Sequence, residues 1–274
     1  MTTHLIAGSS LVLDETLAAN PRAGVIIVHG LAEHAARYRD VAAFFAARGI
    51  SCFVYDQRGH GPHPAVRTHV DRFDDFVADL RSVGDGVHER HPQLPLFVWG
   101  HSMGSVAATL LAASAVPWLR GVITSSSSLE LFRTGLNPLH PFFRALARVL
   151  PRLRIPLGLD EKKISSDRSI QRAYAGDPLI PATASLRLIV EFARACELCR
   201  ERAPGIVVPW LVVHGEADEI APAAGSRALF DLLGSADKRL TTYPKLRHEI
   251  HNETPDARAA FLTMVAAWIG ERAS

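Results

Sequence analysis

The sequence predicts an α/β protein built on a mostly parallel sheet, with helices on both faces and one helical insertion. Three observations carry that prediction. Short apolar, β-branched runs alternate with amphipathic helical patterns, the order that parallel strands joined by helical crossovers require. The alternation breaks once, over residues 125–204, where the chain is helical and proline-punctuated with no convincing strand. The length of 274 residues and the 48% hydrophobic content suit one full core, long for a single domain and short for two equal ones.

Each element has a local reason. Residues 25–28 in AGVIIVHG, 52–55 in ISCFVYD, 96–99 in LPLFVWG, 122–124 in RGVITS, 207–213 in VVPWLVV and 240–243 in KRLTTY read as strands. Residues 36–48, 73–91, 102–115, 223–233 and 255–269 place apolar side chains three and four apart and read as helices. Within residues 4–19, GSSLVLDE marks one or two antiparallel strands. The core is therefore expected over 1–124 and 205–274. The segment 125–204 is expected to form a cap at the carboxyl ends of the strands, where open α/β sheets bind ligands.

Composition excludes several function classes. Thirty basic against 28 acidic residues, spread along the chain for a formal charge of +2, leave no electrostatic footprint for nucleic acid. A small-molecule partner is expected. No basic n-region precedes an apolar run, and no stretch reaches the 18 apolar residues of a membrane span, so a soluble, cytoplasmic protein is expected. Cys52, Cys196 and Cys199 cannot build a disulfide framework. The CxxC of Cys196 and Cys199 lies inside the helical pattern EFARACELCRER and reads as a pair of packing thiols.

The chemistry gathers around WGHSMGS. Ser102 follows a strand and opens a helix, with Gly100 and Gly104 two residues to either side. Such a strand–turn–helix lifts a serine hydroxyl above the sheet edge, and side chains at the flanking glycines would collide there. The hydroxyl needs a neutral imidazole to take its proton, and that imidazole needs a carboxylate to hold its tautomer. Beyond the strand VVPWLVV, HGEADEIAP offers Glu216, Asp218 and Glu219. Asp218 is the expected acid, because it stands far enough past the strand for the loop to turn back; Glu216 is the reserve, and Glu219 is expected to face water.

Beyond RLTTY, PKLRHEIHNE offers His248 and His251. His248 is the expected base because it sits in the loop directly after the strand, whereas His251 reads as already entering the last helix. HEIH is not a zinc HExxH and has no marked third ligand, so no metal and no cofactor is expected. An oxyanion needs two N–H donors: Met103, directly after the nucleophile, and Leu31, in the loop HGLAEHAARY after an early strand. His29, His34 and His101 read as hydrogen-bonding loop residues near the site. The remaining histidines read as mostly surface or loop.

Taken together, HGLAEHAARY, YDQRGHG, THVDRFDDFVADL, GHSMG, GEADEI and LRHEIHNE resemble the monoacylglycerol lipase group of the α/β-hydrolase superfamily, also labelled serine aminopeptidase S33-like or lysophospholipase-like. The similarity runs from about residue 23 to 270 and thins in the insertion. It implies the eight-stranded α/β-hydrolase fold with a mobile cap, and a triad of Ser102, Asp218 and His248 with oxyanion donors Leu31 and Met103. Three residues depart from the group's usual pattern: Ala32 where HGxGEH has glycine, Ser105 where GHSMGG is usual, and Pro62 after RGHG. The N-terminal hairpin also looks truncated.

In the insertion, Leu139, Phe142, Phe143, Leu146, Val149 and Leu150 recur at helical spacing, with Arg144, Arg148 and Arg152 at intervals of four on another face. Such an apolar face either packs on the body of the protein or, with Phe132 and Leu136, lines an acyl-chain tunnel and touches a lipid surface transiently. Phe132, Leu136, Phe142 and Phe143 are the expected substrate-binding residues. An ester with an acyl chain is the expected substrate, cleaved through an acyl-enzyme on Ser102. A small non-lipid ester or an amide is the second reading, and a silent hydrolase fold used for binding is the third.

Overall fold

The computed structural model describes residues 2–5, 11–62, 64–133 and 137–273. The chain opens with β1 (Thr2–Leu5) and β2 (Val12–Thr16). It continues through β3 (Ala23–Val28), α1 (Arg39–Ala46), β4 (Ile50–Tyr55), α2 (Asp74–Arg90), β5 (Leu96–His101), α3 (Met103–Ala112) and β6 (Leu119–Ser125). After the insertion come β9 (Trp210–Gly215), α8 (Ala224–Leu232), β10 (Lys238–Tyr243) and α9 (Pro255–Gly270). The insertion itself holds α4 (Pro141–Val149), β7 (Arg154–Pro156), α5 (Glu161–Ile164), α6 (Arg168–Ala175), β8 (Thr183–Ser185) and α7 (Leu186–Arg202).

Eight strands form one sheet in the order β1-β2-β4-β3-β5-β6-β9-β10. Only the β1–β2 and β2–β4 pairings are antiparallel, and the rest of the sheet is parallel. This is the α/β-hydrolase fold. The inner strands β3, β4, β5 and β9 are buried at every position because both faces are covered. In β9, Trp210 and Val212 pack into one core layer while Leu211 and Val213 pack into the other. Buried residues of α2, α3 and α7 fill the first layer, and those of α1 and α9 fill the second.

The sequence-predicted strand at 207–213 begins later than expected, at Trp210. Val207 is 75% exposed, and Pro209 has no N–H to give to a ladder. Only its carbonyl is used, accepting from the Val122 N–H at 2.9 Å.

The insertion also departs from the all-helical expectation. β7 and β8 pair antiparallel, Ile155 opposite Ala184, as a ribbon too short to show the four-to-eight-residue strand signal. Arg154 fastens this ribbon to the body by donating to the Arg67 carbonyl at 2.8 Å and to the Thr68 hydroxyl at 2.6 Å. α7 lies within the predicted cap range, yet its Leu188, Phe192, Ala195, Cys196 and Cys199 belong to the main core layer with α3. Both thiols are buried in that packing, and burial pushes them well above their ordinary range. Among the described residues, no helix is long and apolar enough to cross a membrane.

Candidate active site

Four loops at the carboxyl ends of parallel strands converge, after β3, β5, β9 and β10. Ser102, between β5 and α3, has φ +50° and ψ −117°, a left-handed backbone that costs a non-glycine residue about 1–3 kcal/mol. The flanking glycines make this turn sterically feasible. A Cβ on Gly100 would run into the Gly104 carbonyl, and one on Gly104 into the carbonyls of Val28 and His29. The turn is tied to the neighbouring strand by the Ser102 N–H, which donates to the Ser125 carbonyl at 2.9 Å.

His248 Nε2 lies 3.0 Å from Ser102 Oγ, and His248 Nδ1 lies 2.7 Å from Asp218 Oδ2. Asp218 Oδ1 accepts from the N–H groups of Ile220 at 2.8 Å and Ala221 at 2.9 Å. Burial opposes the charge on Asp218, but the His248 charge and the hydrogen bonds of His214 and His248 outweigh it and hold the carboxyl well below the usual carboxylate range. Burial alone would lower His248. The Asp218 charge and hydrogen bond, with Glu249 and Glu33 adding to them, carry it above its ordinary value instead. The His248 loop is clamped from below by the Ser126 hydroxyl, which donates to the His248 carbonyl at 2.6 Å.

The loop after β3 lies against the serine. Ser102 Cβ is 3.1 Å from where a Gly30 Cβ would stand, and Leu31 lines the same cavity as Ser102 and His248. Met103 begins α3, where helix geometry leaves the first N–H groups without an intrahelical acceptor. His29 fixes this loop: its Nδ1–H donates to the Gly30 carbonyl at 2.8 Å, and its Nε2 accepts from the Gln57 N–H at 3.0 Å. Ala32 is fully buried at φ +59°, so the departure from glycine falls where the backbone is left-handed. The Ser105 hydroxyl donates to the Ser102 carbonyl at 2.6 Å, a tie that a glycine there would not make.

A cavity of about 420 Å³ opens over Ser102. Its lining mixes apolar side chains, among them Leu131, Phe132, Ile155, Leu157, Ile189 and Phe192, with the polar Glu33, Lys163, Tyr174, Glu219 and Glu249. Glu33 accepts from the Tyr38 hydroxyl at 2.9 Å, and burial together with the Glu249 charge pushes its carboxyl up to about 7. Glu249 is paired with the Arg37 guanidinium.

The expected site residues do not all meet here. Ser102, Asp218, His248, Leu31, Met103 and Phe132 converge, whereas Phe142 and Phe143 do not line the cavity. Phe142 is 61% exposed, and Phe143 packs with Ile155, Leu186 and Val190. Leu136 lies outside the described residues. Glu216, the reserve acid, is bonded to Arg227 away from His248, and Glu219 pairs with Lys163 at 3.2 Å in the cavity lining.

Among the described residues, two of the histidines read as mostly surface or loop are buried. His60 and His214 are each at most 4% exposed. His214 is the informative omission: its Nε2 lies 3.1 Å from Asp218 Oδ2. It lies in β9 one residue past the predicted strand 207–213, with no spacing signal to set it apart from a loop histidine.

The family model described as serine aminopeptidase, S33, matches residues 19–255. The chain belongs to this family. The monoacylglycerol lipase of Mycolicibacterium smegmatis is 35% identical over 272 residues, covering 96% of this chain and 94% of its own. Human monoglyceride lipase is 29% identical over 258 residues, covering 92% and 84%. A soluble variant of monoglyceride lipase from Saccharomyces cerevisiae, crystallised with a substrate analogue, matches at a TM-score of 0.87 and 25% identity over 100% of this chain and 94% of its own. These relatives place this member of the family among the carboxylic-ester hydrolases of the lipase and esterase type.

Proposed function

We propose that this hydrolase cleaves acyl esters of the monoacylglycerol kind through an acyl-enzyme on Ser102. The observation that carries the reading is the run Ser102–His248–Asp218, at 3.0 and 2.7 Å, reaching a cavity lined by both apolar and polar side chains. Such a lining offers apolar surface to an acyl chain and polar groups to an alcohol. His248 Nε2 takes the Ser102 proton as Oγ attacks the ester carbonyl carbon, and the imidazolium is steadied by ionised Asp218. The N–H groups of Leu31 and Met103 hold the oxyanion. Collapse of the intermediate breaks the ester bond, and His248 gives its proton to the leaving alcohol. His248 then activates water, which attacks the acyl carbon and releases the fatty acid.

The elements from α4 to β8 act as the cap over this cavity in the same reading. The outer surface of α4, with Phe142 at 61%, Val149 at 77% and Leu150 at 50% exposure beside exposed Arg144 and Arg148, suits brief contact with an anionic lipid surface. All three cysteines are free and buried, in keeping with a cytoplasmic setting.

The test is labelling by a fluorophosphonate probe, together with p-nitrophenyl esters of increasing chain length. The wild type is expected to react and Ser102→Ala not to, with activity rising past acetate. Equal labelling of both proteins would sink the nucleophile, and a sharp optimum at acetate would turn the reading to a small-ester carboxylesterase.

A further inference from the structure

Asp218 is held by more donors than a single imidazole supplies. Its Oδ2 faces both His248 Nδ1 at 2.7 Å and His214 Nε2 at 3.1 Å, while backbone N–H groups fill Oδ1. His214 lies near the carboxyl end of β9, fully buried. Its Nε2 also lies 2.8 Å from the Ala221 carbonyl. Two acceptors at one ring nitrogen require the hydrogen to sit there, which leaves Nδ1 as the acceptor of a neutral ring. Ser226 Oγ stands 2.6 Å from that Nδ1 and accepts the Ser127 N–H at 3.2 Å. Its own hydrogen is thus free to go to the imidazole. Two donor arms therefore converge on Asp218, one from the Ser127 N–H through Ser226 and His214, the other from the Ser102 hydroxyl through His248.

We propose that His214 is a positioning residue for the catalytic acid, orienting the Asp218 carboxylate and setting how strongly it holds the His248 imidazolium. This rests on the triad reading above. An oxygen that accepts two N–H groups is less basic toward each, so deleting one donor concentrates the carboxylate charge on the other. Loss of the His214 N–H is expected to stabilise charged His248, and to leave the carboxylate freer to rotate. His248 also faces Glu33, Glu249, His101 and His251, and Asp218 faces His248 and His214. Those groups are common to every variant below.

The experiment is the rate of Ser102 labelling by a fluorophosphonate as a function of pH, which reports the base independently of any ester. For His214→Phe, the midpoint of the acid limb is expected to rise by at least about half a pH unit, with a plateau about tenfold lower. His214→Gln, whose side-chain N–H reaches toward the same oxygen, is expected to restore most of the midpoint. A midpoint in His214→Phe that coincides with wild type overturns the proposal even if the plateau falls, because lost packing alone lowers a rate without moving a titration. Should the phenylalanine variant not fold, Ser226→Ala removes the bond to Nδ1 and keeps the ring. It is expected to shift the midpoint the same way by less, and an unmoved midpoint there overturns the proposal as well. Wild-type labelling with no acid limb would instead sink His248 as base, and the positioning role with it.

Discussion

The insertion meets the body of the protein in two different ways. At α5, it is bonded into the loop that carries His248: the Glu249 N–H donates to the Ile164 carbonyl at 2.8 Å, and the Ser165 hydroxyl donates to the Asn252 carbonyl at 2.8 Å. Glu253, 1% exposed, accepts from the Arg247 N–H at 2.8 Å and from both the N–H and the hydroxyl of Ser166. The Arg247 guanidinium returns to the Ser165 carbonyl at 3.0 Å. At α4, by contrast, only Ala147 is buried, in a small apolar cluster with Leu186 and Val190 against which Phe143, Leu146 and Ile155 pack. One half of the insertion braces the loop of His248, and the other is a helix resting on a small apolar seam. A hydrogen-bonded seam holds a side chain to a fraction of an ångström, whereas a shallow apolar seam permits sliding.

The largest effect is expected where the body side alone is altered. Asp218→Asn removes the carboxylate while leaving both parts of the insertion in place, and kcat should fall by about 10⁴-fold, the scale of the same change in the serine-protease template. In the wild type, kcat/KM should fall as pH drops through a midpoint above the ordinary histidine value, because protonated His248 cannot accept the serine proton and Asp218 favours that protonated form. In Asp218→Asn, the remaining limb should lie lower. Kinetics across pH on a soluble ester, with circular dichroism to check the fold, decide both; a limb that stays in place would remove Asp218 from its partnership with His248.

A smaller effect tests the brace. Glu253→Ala unpins Ser166 and Arg247 without touching Ser102, His248 or Asp218, so kcat on a short soluble ester should drop by about 10- to 10²-fold with KM little changed, as expected when a base is misplaced by up to about an ångström. Glu253→Gln keeps an acceptor for the Arg247 N–H and should recover part of the loss. If Glu253→Ala leaves kcat within a factor of about two, the α5 contact is no more consequential than the α4 contact and the contrast collapses.

These differences also explain what could be read from the sequence. Ser102, Asp218 and His248 each stand just past a strand, so local pattern was enough to place them, and the glycines that permit the Ser102 turn are visible in the motif itself. Pro209 shows the limit of the same approach, since an apolar run continues through it while the ladder starts one residue later. The partners that fix the site come from far along the chain. Glu253 meets Ser166, and Ser126 meets His248, through tertiary contacts with no spacing signature. His214 was hidden for another reason: a histidine inside an apolar strand gives no hint of which face it occupies. Phe142 and Phe143 carry the same hydrophobic signal at adjacent positions, yet one turns to solvent and the other to the seam.

The α4 half of the comparison makes the smallest prediction and the most selective one. Phe142 and Val149 are largely exposed and line no part of the cavity over Ser102, so Phe142→Ser with Val149→Ser should change kcat and KM on a soluble short ester by less than about twofold, as surface substitutions away from a site do. On the same ester chemistry presented in anionic vesicles, the two lost apolar contacts should weaken surface binding, each large side chain being worth about 1.5–3 kcal/mol when fully buried and correspondingly less when it only dips into the interface. The drop should therefore appear as a several-fold rise in the lipid concentration needed for half-maximal rate. Because exposed Arg144 and Arg148 flank the apolar residues, raising salt should reduce wild-type vesicle activity while leaving soluble-ester activity in place. Equal losses on both substrates would mean that α4 shapes the cavity after all, and would return Phe142 to the substrate-binding role its sequence suggested.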